Sequence, residues 1–166
     1  LKLTSFDLNQ LLDSVLTTGA PKMGEVKVVR EFAADLPDML ADVDQLTQVF
    51  QNVVDNACEA MDRAGTLTVA TARRGEDMLA VSFADTGPGL EEDVIPHVFD
   101  PFFTTKPLGQ GTGLGLAIAR GIVKLHHGDI PIANRAAGGA VVTGTLPVHT
   151  PTGGDQPETI GEPAAS

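Results

Sequence analysis

The chain has 166 residues, 42% of them hydrophobic, and its 22 acidic against 11 basic side chains give a net charge of -11. That length supports one core and one domain, while the acidic balance excludes the broad basic patch of a nucleic-acid binder. Arg120 interrupts the longest apolar stretch short of the ~18 residues of a membrane span, no signal peptide pattern is legible, and the single cysteine, Cys58, excludes an internal disulfide or a Cys-cluster metal site.

Taken in chain order, Ser5 to Leu12 opens a helix with Asp7 as cap that runs to Gly19. Lys27 to Ala33 alternates as a strand, and Pro37 breaks the chain before a second helix around 44–61. Thr66 to Ala72 and Met78 to Ala84 read as strands joined by a hairpin over 73–77. Residues 86 to 111 form a connection long enough to be a lid or binding loop. A third helix spans Thr112 to His127. Strands follow near Ile130 to Asn134 and Ala140 to Leu146, turned by Ala137-Gly138-Gly139. From Thr150 onward Pro, Gly, Thr and acid dominate, so residues 1–149 form the domain and 150–166 a flexible tail or linker. Elements in this order suit an α+β sandwich, a sheet covered on one face by helices.

Two glycine clusters carry the chemistry. The first is Asp85-Thr86-Gly87-Pro88-Gly89, the second Gly109-Gln110-Gly111-Thr112-Gly113-Leu114-Gly115-Leu116, and Phe99-Asp100-Pro101-Phe102-Phe103-Thr104-Thr105-Lys106 stands between them. Such glycines let backbone N–H groups approach a polyphosphate, and the second cluster runs into a helix whose N-terminus would face the anion. The familiar phosphate motifs fail. A Walker A loop needs Gly-Lys-Ser/Thr, but Leu116 follows Gly115, and the dinucleotide fingerprint wants a glycine where Leu116 stands. Asp85 ends an alternating run, so its carboxylate emerges at a strand end, where α/β sites collect ligands.

The second helix carries apolar residues at 46, 49, 50, 53, 57 and 60, with Asn52, Asn56, Glu59 and Arg63 as one polar stripe. Asparagine is a mediocre helix former, and two on one face are less expected than Lys or Glu in a merely solvated stripe. Their amide oxygens suit a hard cation such as Mg²⁺, which a nucleotide triphosphate brings with it. Cys58, on the apolar shoulder, reads as small buried filler.

These pieces, in this order, resemble the catalytic, ATP-binding domain of bacterial sensor histidine kinases, within the superfamily of gyrase B, the ninety-kilodalton heat-shock chaperones and the MutL ATPases. The resemblance covers roughly residues 5 to 148. Asn52 to Met61 resembles the N box, Asp85 to Leu90 the first glycine box, Phe99 to Lys106 the F box and Gly109 to Leu116 the second glycine box. The string Phe-Phe-Thr-Thr-Lys-Pro followed by Gly-Thr-Gly-Leu-Gly-Leu is most like the nitrogen-regulation and dicarboxylate-sensing subclass. The resemblance implies a Bergerat-type fold, a mixed sheet with three helices on one face and ATP between the helical layer and the lid.

It also implies roles. Asp85 accepts a hydrogen bond from the adenine amino group, in keeping with a carboxylate that would repel guanine's O6. Asn56 is the Mg²⁺ ligand, with Asn52 in support. Gly87, Gly89, Gly111, Gly113 and Gly115 shape the pocket through their backbone, Thr112 and Leu114 offer N–H groups to phosphate oxygens, and Lys106 contacts phosphates or is a solvated charge. Phe99, Phe102 and Phe103 pack the lid and the interface with the hairpin, or simply fill the core. Thr143 or Thr145 would reach the adenine, and Arg63 would approach phosphates or lie exposed. ATP-hydrolysing relatives place a glutamate base where this chain has Asn52, and an amide takes no proton from water, so the resemblance implies transfer rather than hydrolysis.

Sensor kinases carry the phosphoacceptor histidine on a separate dimerisation hairpin, in a His-Glu or His-Asp context. None of His97, His126, His127 and His149 matches, and His126 and His127 read as a helix C-terminus, where a protonated ring meets the dipole favourably. The opening phrase from Leu1 is typical of the junction after such a hairpin, so the chain is expected to be a fragment of a larger kinase. Its expected setting is cytoplasmic, and its partners are ATP, the hairpin of the same kinase and, indirectly, a response regulator. An anti-sigma-type serine kinase, which typically lacks the box at 99 to 106, and a non-catalytic nucleotide-binding interaction module are the alternatives.

Overall fold

Two aspartates start the first two helices. Asp7 accepts from the Gln10 N–H at 3.2 Å and Asp42 from the Gln45 N–H at 3.1 Å, each occupying a donor that the first helical turn cannot satisfy itself. In the computed structural model, which describes residues 1–103 and 114–151, the elements follow in the order β1 (Thr4–Phe6), α1 (Leu8–Gly19), β2 (Glu25–Glu31), β3 (Met39–Ala41), α2 (Val43–Ala60), β4 (Ala64–Arg74), β5 (Met78–Ala84), α3 (Gly115–Leu125), β6 (Ile132–Asn134) and β7 (Ala140–Pro147). The strands β1 and β3 were not legible beforehand. Each has three residues, and they pair only with one another, antiparallel, with Thr4 opposite Ala41.

The main sheet has the order β2-β4-β5-β7-β6. The β2–β4 pair is parallel and the remaining pairs are antiparallel, so the sheet is mixed. Its core face carries Leu67 and Val69 of β4, Leu79, Val81 and Phe83 of β5, and Val142 and Leu146 of β7, in register as Leu79–Leu146 and Phe83–Val142. Against it pack Leu8, Leu12, Val15 and Leu16 of α1, Leu46, Val49, Phe50, Val53, Val54 and Ala57 of α2, and Ala119, Ile122 and Val123 of α3. The apolar period of α2 therefore found the core, except at Ala60, which is exposed. Phe50 is the largest fully buried side chain, its ring 5.9 Å from that of Phe83, and truncating it would cost about 3–5 kcal/mol. Cys58 is buried as expected, and desolvation pushes its thiol up from the ordinary value.

The far end of α3 is tied to the start of α2. His126 is 0% exposed, its Nδ1 lies 2.9 Å from the Ile122 carbonyl and its Nε2 accepts from the Asp42 N–H at 3.2 Å. A carbonyl only accepts, so the hydrogen sits on Nδ1 and the other nitrogen serves as an acceptor. His126 does stand at the helix C-terminus, but as a two-sided neutral linker rather than a cation meeting the dipole. His127 follows with φ of 63°. At the other margin Thr150 is buried and donates to the Leu40 carbonyl at 2.9 Å. Residues 152–166 of the expected tail lie outside the described residues.

Candidate nucleotide-binding site

Helix α2 is the spine of the site. Residues 52, 56 and 60 stand one turn apart on one face, so together they span about 12 Å along the axis. At its first station Asn52 Nδ2 donates to the Gly115 carbonyl at 3.1 Å, which fixes the start of α3 beside it. At the last station the Ala60 carbonyl would lie 3.1 Å from a Cβ on Gly87, so a side chain there would press the first glycine loop off the helix end. Half-buried Asn56 sits between these two contacts, and its amide makes no hydrogen bond among the described residues. The two glycine motifs, 26 residues apart at their nearest described members, Gly89 and Gly115, thus meet on one helix, the first at its C-terminal end and the second about two turns earlier.

Asp85 follows β5 and is 7% exposed. Its Oδ1 accepts two backbone N–H groups, from Gly87 at 2.9 Å and from Ala140 at 3.1 Å. Its own N–H donates to the Ala140 carbonyl at 2.9 Å. Oδ2 has no partner among the described residues. One oxygen therefore builds the loop, and the other remains an acceptor for a ligand donor. Next to it Thr86 is fastened to the end of α2: its N–H lies 3.4 Å from Met61 Sδ, and its Oγ1 accepts from the Thr66 N–H at 3.0 Å.

The glycines differ in how strongly the fold demands them. Gly89 has φ of 79°, and a Cβ would lie 2.9 Å from Asn134 Oδ1, so both backbone and space favour glycine. At Gly115 a Cβ would meet Asn52 only at 3.9 Å, an ordinary contact, so packing among the described residues does not require glycine there. Leu114 stands at the N-cap of α3 without a side-chain capping bond, and the helix dipole at that end favours an anion. Lys106, Gly111, Thr112 and Gly113 lie outside the described residues.

Several expected neighbours of the site stand elsewhere. Arg63 is past the end of α2, with φ of 59°; its guanidinium donates to the Lys22 carbonyl and lies 3.9 Å from Glu59, so it staples the turn before β2 rather than facing the loops. Thr143 and Thr145 alternate with the core residues Val142 and Leu146 on β7, which puts them on the sheet face away from the helices. The site takes the backbone of Ala140 from that strand instead. Of the three phenylalanines, Phe99 packs against the core with the Arg120 guanidinium 5.6 Å above its ring, Phe103 stacks loosely on His97, and Phe102 is 71% exposed with φ of 66°.

Sequence reasoning missed Asn134 and Arg135. Asn134 Oδ1 accepts from the Leu90 N–H at 2.8 Å while its Nδ2 donates to the Leu90 carbonyl at 2.7 Å, and Arg135 Nη1 donates to the Asp85 carbonyl at 2.7 Å. The only signal in the sequence is a polar pair shortly before a Gly-Gly turn, which reads as ordinary turn chemistry.

A helix-covered mixed sheet with an aspartate-headed glycine loop at a strand end and two asparagines on the adjoining helix defines a nucleotide-binding module. The chain belongs to the histidine kinase-, DNA gyrase B-, and HSP90-like ATPase family, whose profile matches residues 41–150. It is 36% identical over 151 residues to the sensor histidine kinase ZraS of Escherichia coli (strain K12), a match covering 90% of this chain and 32% of that protein. It is 39% identical over 153 residues to the C4-dicarboxylate transport sensor protein DctS of Rhodobacter capsulatus, covering 89% of this chain and 23% of that one. Among solved structures, the catalytic domain of histidine kinase ThkA superposes with a TM-score of 0.79 at 33% identity, covering 90% of this chain and 98% of that domain. The chain spans about a third or less of the length of these two curated relatives. Among the described residues no helix is long and apolar enough to cross a membrane.

Proposed function

We propose that this chain is the catalytic domain of a cytoplasmic two-component sensor kinase, binding ATP with Mg²⁺ and passing the γ-phosphoryl group to a histidine on a separate dimerisation hairpin. The observation that carries the reading is the division of labour at Asp85: with Oδ1 committed to Gly87 and Ala140, Oδ2 is left to accept from an exocyclic amine such as that of adenine. A buried acceptor of this kind rejects a base that presents a carbonyl oxygen at the same place.

From Asp85 the triphosphate would run along α2 toward the start of α3. There the first-turn N–H groups and the positive end of the dipole oppose phosphate charge, and Lys106 and the backbone of residues 111–115 would complete the cradle. The half-buried, unpartnered amide of Asn56 fits a hard cation, with Asn52 Oδ1 one turn away in support. Magnesium, when bound, would neutralise the phosphate charge that builds up during transfer. Asn52 donates to a carbonyl and carries no basic atom, so nothing at this position takes a proton from water. The site favours holding ATP for transfer over hydrolysing it. The likeness to DctS supports the nitrogen-regulation and dicarboxylate-sensing subclass, and a response regulator would receive the phosphoryl group from the hairpin.

Radiolabelled ATP tests the reading. The chain should bind it in the presence of Mg²⁺ without labelling itself, and should put acid-labile phosphate on an added histidine-bearing hairpin of the same kinase. Label on His97, His126, His127 or His149, label on a serine, or no nucleotide binding at all would each overturn it.

A further inference from the structure

The segment from Asp85 to Leu90 is gripped from a side that no motif marks. Arg135 holds the Asp85 carbonyl, Asn134 holds both backbone groups of Leu90, and Ala140 exchanges both of its backbone hydrogen-bonding groups with Asp85. All three belong to the β6–β7 hairpin. Its turn is closed internally, with the Arg135 N–H donating to the Gly139 carbonyl at 2.8 Å and the Gly138 N–H to the Arg135 carbonyl at 3.0 Å. Gly139 touches the loop so closely that a Cβ would lie 2.0 Å from the Asp85 carbonyl oxygen, and its φ of 86° disfavours any side chain.

We propose that this hairpin is the positioning element for base recognition: Asn134 and Arg135, without touching the nucleotide, set where the unpartnered oxygen of Asp85 stands and thereby determine the preference for an adenine base. The inference rests on the reading of Asp85 as the adenine acceptor. The physical reason is leverage. Asp85 heads a glycine-containing loop with few internal bonds, and the hydrogen bond it offers weakens steeply with angle and distance. A guanidinium donor on the Asp85 carbonyl is a charge-assisted bond, about twice as strong as a neutral one, and it fixes the peptide plane that follows the Asp85 Cα. The paired bonds from Asn134 fix the far end of the same loop, so neither end can swing. Both side chains come from one short, closed turn, which makes the grip rigid rather than adaptive.

The experiment uses the whole chain with Arg135→Met, Arg135→Lys, Asn134→Ala and, as reference, Asp85→Asn. Dissociation constants for ATP and GTP are measured by calorimetry, and unfolding midpoints are taken without nucleotide. Arg135→Met should weaken ATP binding about tenfold, the effect of losing one charge-assisted bond that holds an acceptor in place, while GTP binding changes little, so that the ATP-to-GTP preference falls. Arg135→Lys should recover most of that preference through its single donor. Asn134→Ala should lower the preference in the same direction from the other end of the loop, and it carries the test if Arg135→Met does not fold. A folded Arg135→Met with the wild-type preference overturns the proposal, as does a loss of both nucleotides in step with the unfolding midpoint, which would make the hairpin merely structural. If Asp85→Asn alters the preference and the hairpin variants do not, only the hairpin's role falls. If Asp85→Asn itself leaves the preference unchanged, the adenine reading falls and this inference with it.

Discussion

Asp42 and Asp85 each stand one residue beyond a strand, after β3 and after β5, and each is 7% exposed. Each accepts two backbone N–H groups. Asp42 spreads them over both oxygens, Oδ1 taking Gln45 and Oδ2 taking Lys2 at 2.9 Å, whereas Asp85 puts both on Oδ1. A carboxylate with both oxygens engaged is a structural clasp, here joining the N-terminal strand region to the start of α2. One with an oxygen to spare is a binding group that the fold has half used. Burial and residue type are the same at the two places, so the distribution of donors between the oxygens is what separates stability from recognition.

The comparison is broken most directly at Asp85. Asp85→Ala should weaken ATP binding by roughly 1 to 3 kcal/mol, the usual effect of deleting a buried hydrogen-bond partner, and calorimetric titration measures it. Asp85→Asn sharpens the result. It can keep an oxygen toward Gly87 and Ala140 while turning the ligand-facing atom into a donor, so affinity should fall with little change in the unfolding midpoint. Unchanged ATP affinity in both variants would mean that the spare oxygen is not the base contact.

Asp42→Ala should do the reverse, lowering stability by about 0.5–2 kcal/mol through the lost N-cap while leaving ATP affinity as it was. The backbone N–H of Lys2 is the main cause holding the Asp42 carboxyl below the ordinary carboxylate value, with the Gln45 N–H adding to it and burial opposing. A depressed folded value contributes stability that is fully present above the unfolded value and is lost as pH falls through the folded one. The wild-type chain should therefore lose stability from about pH 4 downward, and Asp42→Ala should flatten part of that limb in denaturant titrations at stepped pH. Parallel limbs in the two proteins would show that the clasp does not set the acid response.

The smallest effects belong to the asparagines, whose amides are likewise divided. Asn56→Ala should reduce the dependence of ATP binding on Mg²⁺ and little else, as titrations with and without the metal would reveal; full metal dependence in the variant would remove Asn56 from the cation. Asn52→Glu exchanges the Gly115 donor for a carboxylate near the phosphates. It should raise phosphate release by far less than the roughly 10²- to 10⁴-fold of a well-placed base, because the charge also repels the phosphates and no group positions the water. No increase at all, with ATP still bound, would mean that the lack of a base is not what suppresses hydrolysis.

What the sequence determined by itself was everything written in local periods and turn chemistry. The apolar spacing of α2, the alternation of β4 and β5, the Asp7 cap and the order of the four boxes follow from contacts within a few residues. They announced an α+β layer with a nucleotide site at a strand end. Strands β1 and β3 escaped because three residues carry no period, and of the two readings of Arg63 the exposed one holds, because the helical stripe ends at Ala60 and the backbone then turns into positive φ. The face of Thr143 and Thr145 was not legible, since only pairing with β5 reveals which half of β7 meets the helices. The tertiary structure alone decided which oxygen of Asp85 is spent, that Asn52 meets Gly115 across 63 residues, and that Asn134 and Arg135 hold a loop more than 40 residues away. Those are hydrogen bonds between distant segments, and no local pattern encodes the partner of a donor that the fold brings in from elsewhere.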